Sequence, residues 1–447
     1  MPAGLSIRLR PTGPWRIGPD SGDRDRVERV YHSDTLYSAV SSAMARLGML
    51  EEWLDATARA SSSGVVPAVR FSSCFPFNGD TLYVTPPRSL WPPLASSKVR
   101  WKGARFAPLT LIQGMLTGKP VSEEGWAVDG ASETLITMGT QGPFRVAVRS
   151  SAAVDRGGEG VEPHSSACLE FAPHAGLWMT AAFADDQARE KWKGSVTAAL
   201  RLLADSGFGG ERSRGWGRAD VEFSDQHSPL VAAAADPAAE TAWWMLSLYH
   251  PAPDDAIDWR RGNYSLTTRS GRAESGEGWG ASETNAKRLT RMITEGSVLA
   301  APSQPRGSVT DVAPEGFPHP VYRAGYALAI PIPLRPPVMR ELPREVARAA
   351  PKEAPVETLA EIPVEAPAEI PIEAPAVIPE AAAEEAPQAK LVESQEAPAE
   401  VEAESPAAEE GPEALPEPRD EVPTEAPDAV ADESSEEPRA PESQEGS

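Results

Sequence analysis

One short segment of the sequence, residues 205–218, concentrates glycine and arginine and reads DSGFGGERSRGWGR. Glycine tolerates positive φ angles and lets another molecule approach the backbone closely. Arginine presents a planar, permanently charged guanidinium that suits a phosphate group. We therefore predict a loop that holds the phosphodiester backbone of a nucleic acid. The predicted contacts are Gly207, Gly209, Gly210, Arg212, Ser213, Arg214, Gly215, Gly217 and Arg218.

The elements on either side of this loop argue against a nucleotide hydrolase. Apolar residues recur at helical spacing over residues 187–204, and residues 219–223 alternate between apolar and acidic, so the loop joins a helix to a strand. Nucleotide-binding loops run from strand to helix, and Trp216 and Gly217 stand where a P-loop needs Lys and Ser or Thr. The alternative without a ligand is a helix C-cap followed by a glycine-rich turn.

A polar segment precedes the first predicted helix. Residues 32–36 read HSDTL, in which Ser33 is the predicted N-cap and Asp34 complements the helix dipole. Apolar residues follow at positions 36, 40, 44 and 47, on one helix face. This structural interpretation leaves only His32 without a role.

Two further segments carry basic residues. Residues 88–143 are predicted to be irregular and contain a cluster that suits single-stranded RNA, although a solvated loop over buried aromatic rings would have the same composition. This cluster comprises Lys98, Arg100, Lys102 and Arg105 around Trp101 and Phe106. Residues 145–149 and 169–171 alternate, which predicts a long β-hairpin with a polar tip at residues 154–167 that carries Arg156.

The order of the predicted elements indicates an α+β fold. Once the insertions at about 88–170 are set aside, strands and helices up to residue 223 follow the order βαββαβ of a ferredoxin-like domain. We predict an N-terminal ferredoxin-like domain over residues 1–225, a linker at 226–241 and a C-terminal ferredoxin-like domain over 242–336. The strands predicted in the second domain are 243–250, 264–268, 288–293 and 326–332.

The last part of the chain has a different composition. Residues 337–447 contain no aromatic residue and consist mainly of Pro, Glu and Ala. From Arg340 onward there are 30 acidic and 7 basic residues, whereas the preceding 339 residues hold 36 acidic and 35 basic ones. So little apolar surface cannot offset the entropy of ordering, so we predict a disordered acidic tail that acts as a solubilising spacer.

Cysteine content and hydropathy predict the compartment. The two cysteines, Cys74 and Cys168, are far apart and outside any CxxC motif, which predicts neither a disulfide nor a zinc site. No signal peptide and no run of 18 apolar residues are visible. We therefore expect a cytoplasmic protein without a metal, a cofactor or a membrane contact.

Five blocks of the sequence resemble the RAMP superfamily of CRISPR proteins. The superfamily is marked by a glycine-rich loop between the last helix and the last strand of a ferredoxin-like domain. The combination of blocks is similar to subunit four of type III-A Csm effector complexes. The resemblance covers residues 1–336, and the acidic tail departs from it. The blocks are HSDTLYSAV at 32–40, FSSCFPF at 71–77, GFGGERSRGWGR at 207–218, MITEGSVL at 292–299 and HPVYRAGYAL at 319–328.

The resemblance implies a non-catalytic RNA-binding subunit. Such subunits hold the repeat-derived 5′ end of the guide RNA, cap a filament of RAMP backbone subunits and dock the large signature subunit. The hairpin would match the family's thumb, which inserts at the guide–target duplex and so reaches the target RNA indirectly. Carried over by position, the further RNA-binding candidates are His32, Ser33, Asp34, Thr35, Lys98, Lys102, Arg145, Arg149 and Arg156.

Two other functions remain open at this point. Some RAMP proteins cut guide precursors, and metal-independent RNA cleavage needs a general base, for which His32 is the candidate. A generic adaptor whose acidic tail is the active part is the third hypothesis.

Overall fold

The computed structural model describes residues 4–19, 23–93, 101–154, 161–225, 240–273 and 286–334. The described helices are α1 (Ser33–Arg46), α2 (Leu50–Leu54), α3 (Ala60–Ser62), α4 (Leu109–Leu116) and α5 (Asp186–Ser206). A π-helical turn (Asp55–Arg59) joins α2 to α3, and a 3-10 turn covers Arg212–Arg214. None of the helices in these ranges is long and apolar enough to cross a lipid bilayer. The predicted acidic tail lies outside the described residues.

The strands are numbered in chain order. The N-terminal strands are β1 (Gly4–Pro11), β2 (Val69–Phe71), β3 (Phe75–Asn78), β4 (Thr81–Val84), β5 (Ala107–Pro108), β6 (Trp126–Asp129), β7 (Thr134–Thr137), β8 (Phe144–Val154), β9 (Val161–Phe171), β10 (Ala175–Phe183) and β11 (Ala219–Ser224). The C-terminal strands are β12 (Thr241–Met245), β13 (Asp258–Asn263), β14 (Leu266–Arg269), β15 (Thr290–Ile293), β16 (Val298–Ala300), β17 (Gly307–Asp311), β18 (Tyr322–Tyr326) and β19 (Ala329–Pro333).

The large antiparallel sheet places the end of the glycine loop beside the first strand. Its order within the described residues is β11-β1-β10-β3-β4-β5, and β2 also pairs with β10. Leu5, Ile7 and Leu9 of β1 alternate toward one face and are fully buried in a core that α1 and α5 help to form. The predicted sequence of helix, glycine loop and strand is confirmed as α5, residues 207–218 and β11.

Residues 69–78 form two strands, β2 and β3, because backbone groups between them bond to other elements. The Ser73 N–H donates to the Leu246 carbonyl and the Cys74 N–H donates to the Tyr31 carbonyl. One N-terminal prediction needs correction. The segment predicted as irregular contains α4, β6 and β7. In α4, Leu109, Ile112 and Met115 follow helical spacing and are buried, a pattern that the surrounding Pro and Gly residues obscure.

The predicted hairpin is confirmed and is longer than expected. Strands β8 and β9 pair residue by residue from Phe144 opposite Phe171 to Val154 opposite Val161. Part of the predicted polar tip is therefore strand, because cross-strand pairing overrides the low strand propensity of Pro163 and the serines. Arg156 lies outside the described residues.

The C-terminal half is built from strands in the described residues 240–273 and 286–334, which contain no helix. Its larger sheet has the order β13-β16-β12-β19, and β14–β15 and β17–β18 form separate ladders. Trp244, Leu246 and Val298 share one core cluster with the N-terminal sheet. The α+β class is confirmed, whereas the ferredoxin-like assignment of this half and the domain boundaries stay predictions.

Candidate nucleic-acid interface

The glycines of the loop are required by the protein's own backbone. Gly207, Gly209 and Gly217 have φ angles of 97°, 74° and 81°. A Cβ at each of them would lie against a carbonyl oxygen of the chain itself. The added Cβ would lie 2.3 Å from the Trp216 oxygen at position 207, 2.2 Å from the Arg16 oxygen at position 209 and 2.0 Å from the Phe208 oxygen at position 217. Self-packing, rather than approach by a ligand, therefore explains these three positions.

Trp15 and Arg16, which follow β1 in the chain, anchor the glycine loop. The Gly210 N–H donates to the Arg16 carbonyl at 2.8 Å, and Trp15 stacks on Phe208 with ring centroids 5.1 Å apart. The buried Arg16 guanidinium donates to backbone carbonyls of residues 23, 24 and 26 and, at 3.0 Å, to that of Ala167 in β9. Arg16 thus ties the glycine loop to the base of the hairpin. The sequence carries no local signal for this role.

The loop's arginines face solvent, and one of them reaches the hairpin. Arg212, Arg214 and Arg218 are exposed. The Arg214 guanidinium donates to Ser151 Oγ at 3.2 Å and to His164 Nε2 at 2.6 Å, and these two residues lie opposite each other on β8 and β9. The loop and the outer half of the hairpin are therefore in direct contact.

The same face of the hairpin carries the two predicted arginines of β8. Arg145, Arg149 and Ser151 are separated by four and two positions along β8, so their side chains lie on the same face of the hairpin. The Arg145 and Arg149 guanidinium groups donate to the two carboxylate oxygens of Glu170, at 2.8 and 2.6 Å, yet remain 70% and 52% exposed. Hydrogen bonds from both arginines lower the pKa of Glu170. Arg145, Arg149 and Arg214 thus lie along one face of the hairpin, and we call these three residues the hairpin strip.

A cleft of about 1240 Å³ holds a second group of predicted residues. Arg29 and Arg105 pair there with Glu133, at 3.5 and 3.1 Å. Within the described part of the chain, no ion pair or hydrogen bond is recorded for the side chains of Arg26, Arg88 and Lys102. The basic residues of its lining are Arg26, Arg29, Arg88, Lys102, Arg105 and Arg269, with His32 and Trp91 between them.

The aromatic residues of the predicted basic cluster belong to the core. Trp101 and Phe106 are 1% and 0% exposed, and Trp101 stacks on Trp91 at 5.3 Å. This favours the alternative of a loop over buried rings, so neither ring is available to stack on a base. Lys102 still lines the cleft, whereas Lys98 and Arg100 lie outside the described residues.

The HSDTL segment is a contact between the two halves of the fold. The N-cap of α1 is His32, not Ser33 as predicted, and its side chain makes no capping bond. Ser33 is buried because its Oγ accepts from the Leu248 N–H at 3.0 Å, while its own N–H donates to Ser73 Oγ at 2.9 Å. The hydroxyl of Ser73, which lies between β2 and β3, therefore accepts a hydrogen bond from the start of α1, as the Ser33 hydroxyl was predicted to do.

Asp34 binds two arginines of the C-terminal half. Its carboxylate accepts from Arg269 Nε at 3.1 Å and from Arg323 Nη1 at 2.9 Å, and also from the Thr35 N–H at 2.7 Å. Burial would raise the pKa of Asp34, but Arg269 and Arg323 outweigh it and hold the pKa below its ordinary value. Ser33 and Asp34 thus have protein partners, and their RNA contacts remain predictions.

His32 and Glu295 form a largely buried pair on the wall of the cleft, with side chains 13% and 5% exposed. His32 Nδ1 lies 2.7 Å from Glu295 Oε1, and Ser73 Oγ donates to the same oxygen. Burial would lower the pKa of His32, but Glu295 raises it above the ordinary value. Burial would raise the pKa of Glu295, but His32 lowers it. His32 therefore has a structural role in joining the two halves, and its role as the general base of a ribonuclease stays an untested alternative.

The opposite shifts of this pair predict how stability depends on pH. The raised pKa of His32 makes its contribution complete below its ordinary value of 6.5 and lost as pH rises through the folded value. The lowered pKa of Glu295 makes its contribution complete above 4.5 and lost as pH falls through its folded value. We expect the difference in unfolding free energy between the natural protein and His32→Gln, measured by urea unfolding, to be largest between pH 4.5 and pH 6.5. An exposed control is His319→Gln, and an advantage that is constant from acid to alkaline pH would contradict the pairing.

Four of the sequence blocks meet at these contacts. HSDTL supplies His32 and Asp34, FSSCFPF supplies Ser73, MITEGSVL supplies Glu295 and HPVYRAGYAL supplies Arg323. Sequence reasoning assigned no role to Ser73, Glu295 or Arg323. The signal in the sequence for their roles was that each of them lies in one of these blocks. Contacts between residues more than 200 positions apart leave no periodic pattern in a sequence.

Comparison with known proteins gives a consistent set of similarities. A family model described as CRISPR Csm4 C-terminal domain matches residues 238–332. A relative described as CRISPR system Cms protein Csm4, from Thermococcus onnurineus (strain NA1), is 24% identical over 240 residues, which is 50% of this chain and 70% of that protein.

Two of the solved structures to which the chain is similar are complexes of two proteins. In the Csm3–Csm4 subcomplex of a type III-A CRISPR-Cas interference complex, one chain is 15% identical with a TM-score of 0.49, covering 73% of this chain and 99% of that chain. In a Csm1–Csm4 cassette in complex with pppApA, one chain is 19% identical with a TM-score of 0.45, covering 74% of this chain and 97% of that chain.

Proposed function

Because the chain is a Csm4-like RAMP protein, we propose that it is a non-catalytic subunit of a type III-A Csm complex and holds the repeat-derived 5′ end of the guide RNA. Its described residues offer two adjoining cationic surfaces, the exposed arginines of the glycine loop and the hairpin strip. The observation that best supports the proposal is the contact of Arg214 with Ser151 and His164, which makes these surfaces continuous.

The chemistry of these surfaces fits an RNA backbone better than a single bound phosphate. Arg212, Arg214 and Arg218 project from a loop whose shape is fixed by its own carbonyl contacts, so they are positioned before a ligand arrives. The hairpin strip continues them along β8, with Glu170 as the anionic group that phosphates would displace. Phosphate contacts of this kind position an RNA without reading its sequence.

The remaining parts of the proposal follow from the family. We assign residues 1–225 to a ferredoxin-like RAMP domain, since β11 lies beside β1 and β1 beside β10 as the βαββαβ order requires. The hairpin β8–β9 acts as the thumb at the guide–target duplex. The protein partners are the large signature subunit and the adjacent RAMP backbone subunit.

Sequencing of the RNA that copurifies with the complex tests this proposal. We expect a uniform 5′ end derived from the repeat, since one subunit at the end of a filament protects one position. A complex assembled without this subunit is the control and is expected to yield shortened or heterogeneous 5′ ends. Random ends in the complete complex, or the absence of RNA, would overturn the proposal.

A further inference from the structure

One strand of the C-terminal half presents aromatic rings to solvent. Among the described strands, β13 lies at the edge of its sheet, and its residues are exposed apart from half-buried Gly262. Trp259 is 38% exposed and Tyr264, directly after the strand, is 37% exposed. Their ring centroids lie 5.3 Å apart at an interplanar angle of 73°. Each ring therefore supports the other while part of its surface remains open.

Two arginines accompany the rings. Arg260 and Arg261 are exposed, and Arg261 pairs with Glu240, which is itself on the surface. Within the described ranges, no ion pair is recorded for the Arg260 guanidinium. Aromatic rings beside cationic side chains are the arrangement by which proteins bind single-stranded nucleic acid, since a base stacks on a ring and its phosphate meets a cation.

Strand β13 also forms one rim of the cleft, which is lined by six Arg or Lys and four Asp or Glu residues. The Asn263 side-chain amide donates to the Arg88 carbonyl at 3.0 Å, and Asn263 and Arg88 both line the cleft. Gly262 lets the Tyr264 ring lie against the strand, because a Cβ there would be 3.3 Å from Tyr264 Cδ1 and 3.1 Å from the Val298 carbonyl oxygen. The strand that carries Trp259 thus borders the cleft through Asn263, the residue directly before Tyr264.

We propose that Trp259 and Tyr264 form a base-stacking site for single-stranded RNA at the rim of the cleft. This inference rests on the proposed function and adds a contact that the glycine loop and hairpin strip do not supply. An edge strand also suits a β-strand of a protein partner. RNA is favoured here by the basic residues Arg26, Arg88 and Lys102 of the adjoining cleft and by Arg260 and Arg261, which follow Trp259 in the sequence. Stacking requires no particular base, so the site accepts any sequence.

Photo-crosslinking in the complete complex tests the site. A synthetic guide RNA carrying 4-thiouridine at successive positions is irradiated, and crosslinked peptides are identified by mass spectrometry. We expect one or two neighbouring RNA positions to crosslink to residues 258–264. The double variant Trp259→Ala, Tyr264→Ala is expected to lose this crosslink. Its affinity for RNA is expected to fall by about fivefold or more for each ring removed. The matched variant Trp259→Phe, Tyr264→Phe keeps an aromatic ring at both positions and is expected to keep the crosslink.

The outcomes separate this inference from the proposed function. Crosslinks to residues 207–218 without any to residues 258–264 would overturn the stacking site alone. Unchanged crosslinking and RNA retention in the alanine variant would do the same. Loss of a protein subunit from that variant, with RNA crosslinks intact, would assign β13 to a protein interface instead. The absence of crosslinks at both segments would overturn the proposed function.

Discussion

Replacing Asp34 by alanine is expected to destabilise the protein by about 3–5 kcal/mol, because it removes the carboxylate between two buried cations. The Arg269 and Arg323 side chains are 9% and 6% exposed, and both donate to Asp34. A guanidinium that loses its counter-charge in the interior keeps the full cost of its desolvation. The same change frees the Thr35 N–H in the first turn of α1.

Urea unfolding of the purified protein measures this effect. Asp34→Asn retains a hydrogen-bond acceptor without the charge, so we expect a smaller loss than for alanine. Asp220→Ala, at an exposed position of β11, is the matched control and is expected to change the unfolding free energy by no more than about 0.5 kcal/mol. An Asp34→Ala protein as stable as the control would show that the ion pairs contribute nothing to joining the two halves.

This network gives the HSDTL segment a structural role. His32, Ser33 and Asp34 each contact residues that lie 40 or more positions away, and Glu295, Arg269 and Arg323 all come from the C-terminal half. The start of α1 therefore fixes the relative position of the two halves. The cleft between these elements, with His32 on its wall, keeps its shape through the same contacts.

The parts of the fold that sequence predicted are those with strong local patterns. The amphipathic helix at 187–204 became α5, and the alternating residues 219–223 became β11. The glycine loop between them was placed correctly for the same reason. The arginines of the loop were chosen from the composition of the loop, and those of β8 from the family resemblance; their RNA contacts stay predictions.

What sequence reasoning missed depends on contacts between distant segments. Arg214 is separated from His164 by 50 positions and Arg16 from Ala167 by 151, so no periodicity joins them. The glycines were interpreted as openings for a ligand, whereas the carbonyl oxygens of Arg16 and Phe208 occupy that space. Ser33 is a residue type that favours the N-cap position, but its hydroxyl instead accepts a hydrogen bond from the Leu248 N–H of the C-terminal half.

The simultaneous replacement of Arg212, Arg214 and Arg218 by alanine is expected to weaken RNA binding by at least about a thousandfold. Each charge-assisted hydrogen bond to a phosphate contributes roughly a factor of ten or more. All three side chains are exposed and the loop backbone is held by its own carbonyl contacts, so the variant is expected to fold. The matched control replaces Arg46, Arg59 and Arg288, three exposed arginines of other elements.

The salt dependence of RNA retention tests most directly whether the glycine loop holds the RNA backbone. The affinity of the complex for guide RNA is measured across a series of salt concentrations for the natural protein, the loop variant and the control. Each lost phosphate contact on a single strand lowers the slope of log affinity against log salt by about 0.7, so the loop variant should have a slope smaller by about 2. The control should keep the natural slope. An unchanged affinity and slope in the loop variant would contradict the account.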